Sequence, residues 1–183
     1  MNLAQACWDD LCSIIIPGSF RKNEYLLKQG FHSYQEVFIE DGVVWAFLTD
    51  EQANEKGTGF YRENEFISTS ALRSKNGCSI YTYQALTDTK VLTFSSEKFV
   101  RLLAKYPDLI KLAKHVKERE IDRLSKRDDC LIQASAFEKY LKFTEYYPEL
   151  EFQIPLYYIA SFLGITPVTL SRIRSKPVRN YRH

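Results

Sequence analysis

The sequence predicts an α+β fold in which an N-terminal antiparallel β region is followed by helices. From about residue 20 to residue 95, short β-rich runs alternate with turn residues, a spacing typical of antiparallel sandwiches and barrels. After Phe94 the apolar residues recur at helical spacing. The segment Ile154–Arg174 has the residue pattern of two helices joined by a tight turn. The 183 residues are enough for one domain or two small ones.

The β region follows a short N-terminal segment that is predicted to be helical. Residues 3–16 form this helix, and we expect it to end at Pro17-Gly18. Asp41-Gly42 lies between two β-rich runs and predicts a hairpin, because both residues tolerate a positive φ. The predicted strands are Tyr25–Leu27, Glu36–Glu40, Val43–Leu48, Gly57–Tyr61, Ser79–Ala85 and Lys90–Phe94.

Three helices are predicted between the β region and the C-terminal segment. They run from Ser95 or Ser96 to Pro107, from Asp108 to Leu124 or Cys130, and from Ala134 to Tyr146. The apolar positions of the second helix cover more than one narrow stripe. It therefore either contacts both the β region and a partner helix, or is a single amphipathic helix of its own domain. A hinge is expected near Asp128-Asp129.

The C-terminal segment meets the steric requirements of a helix-turn-helix. Ala160 is small where the two helices would cross, and Gly164 tolerates the positive φ that the turn needs. Thr166 can cap the second helix, and Pro167 suits its first position. The apolar residues that would fix both helices are Ile159, Leu163, Ile165, Leu170 and Ile173. A plain helical hairpin is the alternative interpretation.

The second helix of this motif has a face without acidic residues. Leu170 and Ile173 are predicted to point to the core. The opposite face carries Val168, Ser171, Arg172, Ser175 and Lys176, with Thr169 and Arg174 on its flanks. Small and cationic side chains can approach base edges or phosphates, and the helix N-terminus near Thr166 suits a phosphate. This face therefore predicts binding to double-stranded DNA.

The charge distribution also points to a polyanion near the C-terminus. Residues 1–100 hold 9 Lys and Arg against 13 Asp and Glu, whereas residues 101–183 hold 16 against 10. After Glu151 no acidic residue follows, and the basic residues there are Arg172, Arg174, Lys176, Arg179 and Arg182. Nucleic acid is the commonest polyanion that such a region attracts. A solvated basic tail is the alternative.

The sequence lacks the residues that several functional classes need. The four cysteines form no C-x-x-C pair, and no two of the three histidines have metal-ligand spacing, so no metal or other cofactor is expected. The phosphate-binding, dinucleotide-binding and serine-hydrolase glycine motifs are missing, so no enzymatic activity is predicted. The sequence has neither a signal peptide nor a run of apolar residues long enough for a membrane span, which predicts a cytoplasmic protein without a membrane partner.

Nearly the whole chain resembles the CRP/FNR family of bacterial transcription regulators. The residues that carry the resemblance are IPLYYIASFLGITPVTLSRIR at the C-terminus and VFIEDGVVWAF, FYRENEFISTS and YTYQALTDTKVLTFS in the β region. The C-terminal segment is most similar to members common in Bacteroidetes. The resemblance implies a cyclic-nucleotide-binding-like β-roll in residues 1–107, a dimerisation helix and hinge in 108–130, and a DNA-binding domain in 131–183.

The resemblance also implies partners and a set of DNA-contacting residues. Members act as homodimers in which each subunit binds one half-site of a near-palindrome, and RNA polymerase is an expected partner. The residues expected to contact DNA are Thr166, Val168, Thr169, Ser171, Arg172, Arg174, Ser175, Lys176 and Arg179. Where many members carry an acid, this chain has Val168, which can meet a thymine methyl but cannot accept a hydrogen bond from cytosine. We therefore expect a target sequence that differs from theirs.

The chain departs from members that bind cyclic AMP. Those members carry Gly-Glu-Leu and Arg-Ser in their phosphate-binding cassette, whereas this chain has Ser68-Thr69-Ser70 and Ser79-Ile80. A buried cyclic phosphate would lose its counter-charge, so we expect no tight binding of cyclic AMP. The residues that could line an altered pocket for an unknown effector are Ser68, Thr69, Ser70, Arg73, Ser79 and Tyr81.

Two other functional classes remain as alternatives. A β-roll could sense a small molecule or a protein without any contact to DNA. An enzyme on a cupin-like β-roll would need two neighbouring histidines, and His32 has no histidine near it in the sequence.

Overall fold

A computed structural model describes residues 4–68 and 77–175, and it has the predicted α+β architecture. The strands are β1 (Ile16–Phe20), β2 (Tyr25–Leu27), β3 (Gln35–Asp41), β4 (Val44–Thr49), β5 (Glu55–Tyr61), β6 (Glu65–Ile67), β7 (Thr82–Ala85) and β8 (Thr89–Ser95). The helices are α1 (Gln5–Ile14), α2 (Ser96–Lys105), α3 (Asp108–Ile132), α4 (Ala136–Tyr146), α5 (Leu150–Gln153), α6 (Leu156–Leu163) and α7 (Pro167–Arg174). The chain divides into two compact units.

The first unit comprises the described parts of Met1–Leu48 and Phe60–Ile121. Its strands form two four-stranded sheets with the orders β1-β8-β3-β6 and β2-β7-β4-β5, and β5 contributes only Phe60 and Tyr61 to this unit. The side chains that fill the interior of this β-roll are those of Ile39, Val44, Ala46, Tyr61, Ile67 and Tyr83. The Tyr61 and Tyr83 rings lie 5.9 Å apart between their centroids, so aromatic packing contributes much of this core.

Pro17 and Gly18 do not end a helix as the sequence suggested. Helix α1 stops at Ile14, and both residues lie within β1, where Pro17 is opposite Leu92 of β8. Strand β1 lies at the edge of its sheet. Proline is tolerated there because an edge strand leaves half of its backbone N–H groups outside the ladder.

The Asp41-Gly42 turn does not form the predicted hairpin. Strands β3 and β4 lie on its two sides but belong to different sheets, so the turn carries the chain from one sheet to the other. Gly42 has φ +106°, and a β-carbon there would lie 2.6 Å from Thr89 Oγ1. The positive φ was therefore predicted correctly, but the close neighbour of Gly42 is Thr89 at the start of β8, the strand that pairs with β3, and not a residue of β4.

Helices α1 and α2 and the start of α3 form a second apolar core in this unit. Cys7, Leu11 and Leu109 are buried together at its centre. The predicted N-cap of α2 is confirmed at Ser95, whose hydroxyl accepts a hydrogen bond from the Lys98 backbone N–H. At the far end of α2, the Lys105 ammonium lies 2.6 Å from the Asp10 carboxylate.

The second unit comprises Thr49–Gly59 and the described part of Asp122–His183. Asp128 and Asp129 do not form a hinge, because α3 continues through them to Ile132. The helix break lies at residues 133–135 instead, and α4 begins with a capping box between Ser135 and Glu138. This Ser-x-x-Glu signal is visible in the sequence, and it starts α4 two residues after the predicted Ala134. The three-region division at residues 107 and 130 stays a prediction.

None of the described helices is by itself long and apolar enough to cross a membrane. Helices α6 and α7 reach that length and apolarity only when counted together, and they are bent by 107° relative to each other.

Candidate nucleic-acid interface

The turn between α6 and α7 is closed by the glycine that the sequence predicted. Gly164 has φ +64°, a left-handed conformation that a residue with a side chain adopts at a cost. The Ile165 backbone N–H donates to the Ala160 carbonyl oxygen at 3.0 Å, which terminates α6 in a Schellman-type cap. The 107° bend between the two helices lies within the range of helix-turn-helix motifs.

Helix α4 packs against both helices of the motif, α6 and α7, and holds them in place. Phe162 of α6 meets Phe143 and Tyr147 edge to face, with ring centroids 5.8 Å and 5.7 Å away. Leu170 and Ile173 of α7 are buried, as predicted. The motif therefore has a core of its own within the second unit, and α7 has one fixed inward face.

Helix α7 is capped at its N-terminus as the sequence predicted. The Thr166 hydroxyl oxygen accepts a hydrogen bond from the Thr169 backbone N–H at 3.1 Å. The two threonine hydroxyls also lie 2.9 Å apart, so the Thr169 side chain is engaged with the cap. Pro167 follows the cap and has no N–H to satisfy, which suits the first helical position.

Several of the residues that were predicted to contact DNA lie on the outward face of α7. Val168 is 59% exposed, and Ser171, Arg172 and Ser175 are exposed as well. The Arg172 side chain forms no ion pair or hydrogen bond with any residue in the described part of the chain. Its guanidinium is therefore available to a partner. Lys176 and Arg179, which were also predicted to contact DNA, lie outside the described residues.

Arg174 differs from Arg172 because it is held by the protein. Its Nε atom lies 3.2 Å from a carboxylate oxygen of Glu151, and its guanidinium lies over the Phe152 ring. The Tyr140 hydroxyl donates to the same carboxylate. Burial and this hydrogen bond raise the pKa of Tyr140 to about 12, so the hydroxyl stays protonated. Arg174 thus fixes the last turn of α7 to α5.

The motif also receives contacts from β5 that the sequence did not predict. The Ser161 hydroxyl donates to the Glu55 carbonyl oxygen at 2.7 Å and accepts from the Gly57 backbone N–H at 2.9 Å. The Tyr157 hydroxyl donates to the Glu55 carboxylate at 3.1 Å. These three bonds attach the outer side of α6 to the first half of β5.

Two arginines of α3 hold the same segment of β5. Arg123 Nη1 donates to the Thr58 carbonyl oxygen at 2.7 Å, and Arg127 Nε donates to the Gly57 carbonyl oxygen at 3.0 Å. Arg123 is only 7% exposed. The spacing of four residues on one helix was visible in the sequence, but the backbone oxygens that both residues bind were not.

The described residues among those predicted to line an effector pocket lie in different environments. The Ser79 hydroxyl donates to the Tyr81 carbonyl oxygen at 2.7 Å, and Tyr81 packs against the apolar interior of the β-roll. Ser68 lines a different cavity, which α2 and α3 cover. Thr69, Ser70 and Arg73 lie outside the described residues. Among the described residues, no group of three metal-binding side chains is found.

Comparisons with known proteins agree with this architecture. The family of cyclic nucleotide-binding domains matches residues 17–106, which contain all eight strands except the first residue of β1. The structure of FixK2 from Bradyrhizobium japonicum superposes with a TM-score of 0.75, at 14% identity over 88% of this chain and 83% of that one. The chain has the fold of the CRP/FNR transcription regulators.

Two further CRP/FNR-type structures extend over nearly the whole chain. The c-di-GMP-responsive global regulator CLP from Xanthomonas campestris has a TM-score of 0.74 at 12% identity, covering 93% of this chain and 89% of its own. A regulator assigned to the CRP/FNR family from Eubacterium rectale has a TM-score of 0.74 at 13% identity, with coverage of 93% and 82%. No curated protein sequence matches the chain. The resemblance to the Bacteroidetes type stays a prediction.

Proposed function

We propose that the protein is a sequence-specific, DNA-binding transcription regulator that acts as a homodimer in the cytoplasm. The observation that carries this proposal is the geometry of α6 and α7. The two helices meet at 107° around Gly164, and α7 turns an exposed face without acidic residues away from its core. A helix presented in this way fits the major groove of B-form DNA. We assign no catalytic activity and no cofactor to the chain.

The residues of α7 divide by the contacts that they can make. Arg172 is exposed and unpaired with described residues, so it suits bidentate recognition of guanine, and Val168 suits contact with a thymine methyl. Ser171 and Thr169 lie beside them on the same helix. Thr166, Arg174 and Ser175 at the helix ends, together with Lys176 and Arg179, are assigned to the phosphates, which fix orientation without reading sequence.

A homodimer is proposed because α3 leaves apolar side chains exposed. Ile110 and Ile121 are 55% and 64% exposed on this 25-residue helix, and a second copy of α3 can cover them. A two-fold dimer would present two α7 helices about 34 Å apart, one helical turn of DNA. Small-angle scattering and sedimentation of the full chain measure whether the dimer forms.

RNA polymerase is proposed as a further partner on the family resemblance alone.

DNA binding is tested by selecting fragments from a random-sequence duplex library and measuring the affinity of the selected site at two salt concentrations. We expect the selected site to bind about a thousandfold or more tightly than unrelated DNA, with affinity that falls steeply as salt rises. Equal affinity for the selected and unrelated duplexes would remove sequence specificity from the proposal. No measurable binding at either salt concentration would favour a sensing module that does not contact DNA.

We further propose that the β-roll does not bind cyclic AMP tightly. Neither the carboxylate nor the arginine of the family's cassette is present at residues 68–70 and 79–80. Aromatic side chains, including Tyr61 and Tyr83, also occupy the interior of the roll. Titration calorimetry should show no binding of cyclic AMP in the micromolar range.

A further inference from the structure

A cavity of about 170 Å³ lies in the first unit, outside the interior of the β-roll. Strands β3, β6 and β8 form one wall and helices α2 and α3 form the other. Val37 and Ile39 of β3 point into the roll, so Glu36, which alternates with them, points out of it toward this cavity. The cavity is therefore separate from the cyclic-nucleotide position of the family.

Eight of the twelve residues that line the cavity are apolar. The side chains that form most of it are those of Phe66, Phe94, Phe99, Leu103, Leu112 and Val116. Phe94 and Phe99 contact each other with ring centroids 5.1 Å apart, and Phe66 lies 6.5 Å from Phe94. A cavity of about 150 Å³ with such walls accommodates one benzene ring. This space thus suits an aromatic or branched alkyl group of similar size.

One carboxylate stands among these apolar walls. Glu36 is only 5% exposed, and one of its oxygens accepts a hydrogen bond from the Ser96 hydroxyl at 2.6 Å. Ser96 is buried too, and its backbone N–H is bound to the Tyr34 carbonyl oxygen. Within residues 4–68 and 77–175, nothing else donates a hydrogen bond to Glu36 or pairs with its charge. A buried carboxylate with a single neutral donor is costly unless a second donor or a cation reaches it.

We propose that this cavity binds a small organic cation, a primary amine with an aromatic or branched alkyl body, whose ammonium group donates to Glu36. The apolar walls cover the body of the ligand, and the carboxylate selects its charged head. Lys117 also lines the cavity and has no ion-pair partner in the described part of the chain. Its ammonium competes with the ligand for Glu36. This inference does not depend on the proposed DNA binding.

The test uses the full chain with benzylamine as the probe, and benzyl alcohol and benzoate as neutral and anionic analogues of the same shape. Calorimetry gives the affinities, and ring NMR shifts of Phe66 and Phe99 locate the ligand. We expect benzylamine to bind about tenfold more tightly than benzyl alcohol, because a hydrogen bond to a charged group adds that much. Benzoate should not bind. Failure of benzylamine to shift these phenylalanine resonances would overturn the proposal.

Four variants separate the role of the carboxylate from that of the cavity. Glu36→Gln keeps an acceptor for Ser96 and should weaken benzylamine binding about tenfold while leaving benzyl alcohol binding nearly unchanged. Glu40→Gln removes an exposed carboxylate from the same strand and should change neither. Lys117→Met should strengthen benzylamine binding, because the competing cation is lost. Ala113→Leu, which fills the cavity, should abolish binding of both probes.

Thermal unfolding of each variant without ligand shows that it is folded before its affinity is compared. If Glu36→Gln does not fold, the Lys117→Met and Ala113→Leu results decide the question instead. Unchanged benzylamine affinity in folded Glu36→Gln, or in folded Ala113→Leu, would contradict the proposal.

Discussion

The guanidinium of Arg123 fills the space beside Gly59 that a side chain at residue 59 would need. A β-carbon built on Gly59 would lie 1.7 Å from Arg123 Nη1 and 3.2 Å from its Cδ. The same Nη1 donates to the Thr58 carbonyl oxygen at 2.7 Å. Glycine is therefore required here by the close approach of a buried arginine, and its φ is not in the positive region.

Gly59→Ala should lower the free energy of unfolding by about 1–3 kcal/mol, because overpacking displaces Arg123 from its buried hydrogen bond. Urea denaturation measures this change. Gly18→Ala is the matched control, since a β-carbon there meets only Val91 Cγ2 at an ordinary 3.4 Å. It should change the unfolding free energy much less.

A double-mutant cycle can check that the cost of a side chain at residue 59 comes from its steric conflict with Arg123. Once Arg123→Ala has removed the guanidinium, adding Gly59→Ala should cost little more. Additive losses in the double variant would show that the alanine side chain disturbs something other than Arg123.

The helix-turn-helix could be predicted from the sequence because its requirements are local. Gly164 must take a positive φ, Thr166 must cap α7, and Leu170 and Ile173 must be apolar, and all these conditions fall within a few residues. Strand pairing depends instead on residues far apart in the chain. The Asp41-Gly42 turn was consequently assigned to a hairpin, although its two flanking strands belong to different sheets.

The partners of the site residues could not be predicted for the same reason. The sequence places Arg172 on the outward face of α7 and Arg174 on its flank, but it does not show that Arg174 meets Glu151 in the fold. Ser161 looks like an ordinary helix residue, and its two bonds to β5 join positions about a hundred residues apart. The buried position of Glu36 likewise depends on which helices cover β3.

Thr166→Ala should lower the free energy of unfolding by about 1 kcal/mol, because the Thr169 backbone N–H loses the hydroxyl that caps α7. Thr166→Ser retains the hydroxyl and should restore most of this loss. Denaturation in urea, followed by helical circular dichroism, measures both variants. Equal losses in the alanine and serine variants would show that the methyl group, and not the cap, stabilises the helix.

Asp129 should make the stability of the protein depend on pH in the acid range. The Tyr146 hydroxyl, and then the charge of Lys142, lower the pKa of Asp129 below its ordinary 3.8. As pH falls, the unfolded chain takes up a proton on this carboxyl before the folded chain does. The stabilisation is thus complete above the ordinary pKa and is lost as pH falls through the lowered pKa of the folded state.

Asp129→Asn should therefore be less stable than the wild type near about pH 6, and the difference should shrink toward about pH 3. Urea denaturation at the two pH values measures it. Asp128→Asn is the control, because the Asp128 side chain is exposed and has no hydrogen bond or ion pair among the described residues. A difference between Asp129→Asn and wild type that stays constant over this pH range would exclude the linkage.

Arg172→Ala and Arg174→Ala should differ in what they change, because only one of these guanidinium groups is held by the protein. Arg172→Ala should weaken binding to the selected DNA site by about 1–3 kcal/mol and weaken binding to unrelated DNA much less. Arg174→Ala should weaken binding to both duplexes similarly, and it should also lower the free energy of unfolding, since Glu151 loses its ion-pair partner. Fluorescence anisotropy with both duplexes, together with urea denaturation, separates the two effects. If Arg172→Ala bound the selected site as tightly as the wild type, the proposed orientation of α7 in the groove would be wrong.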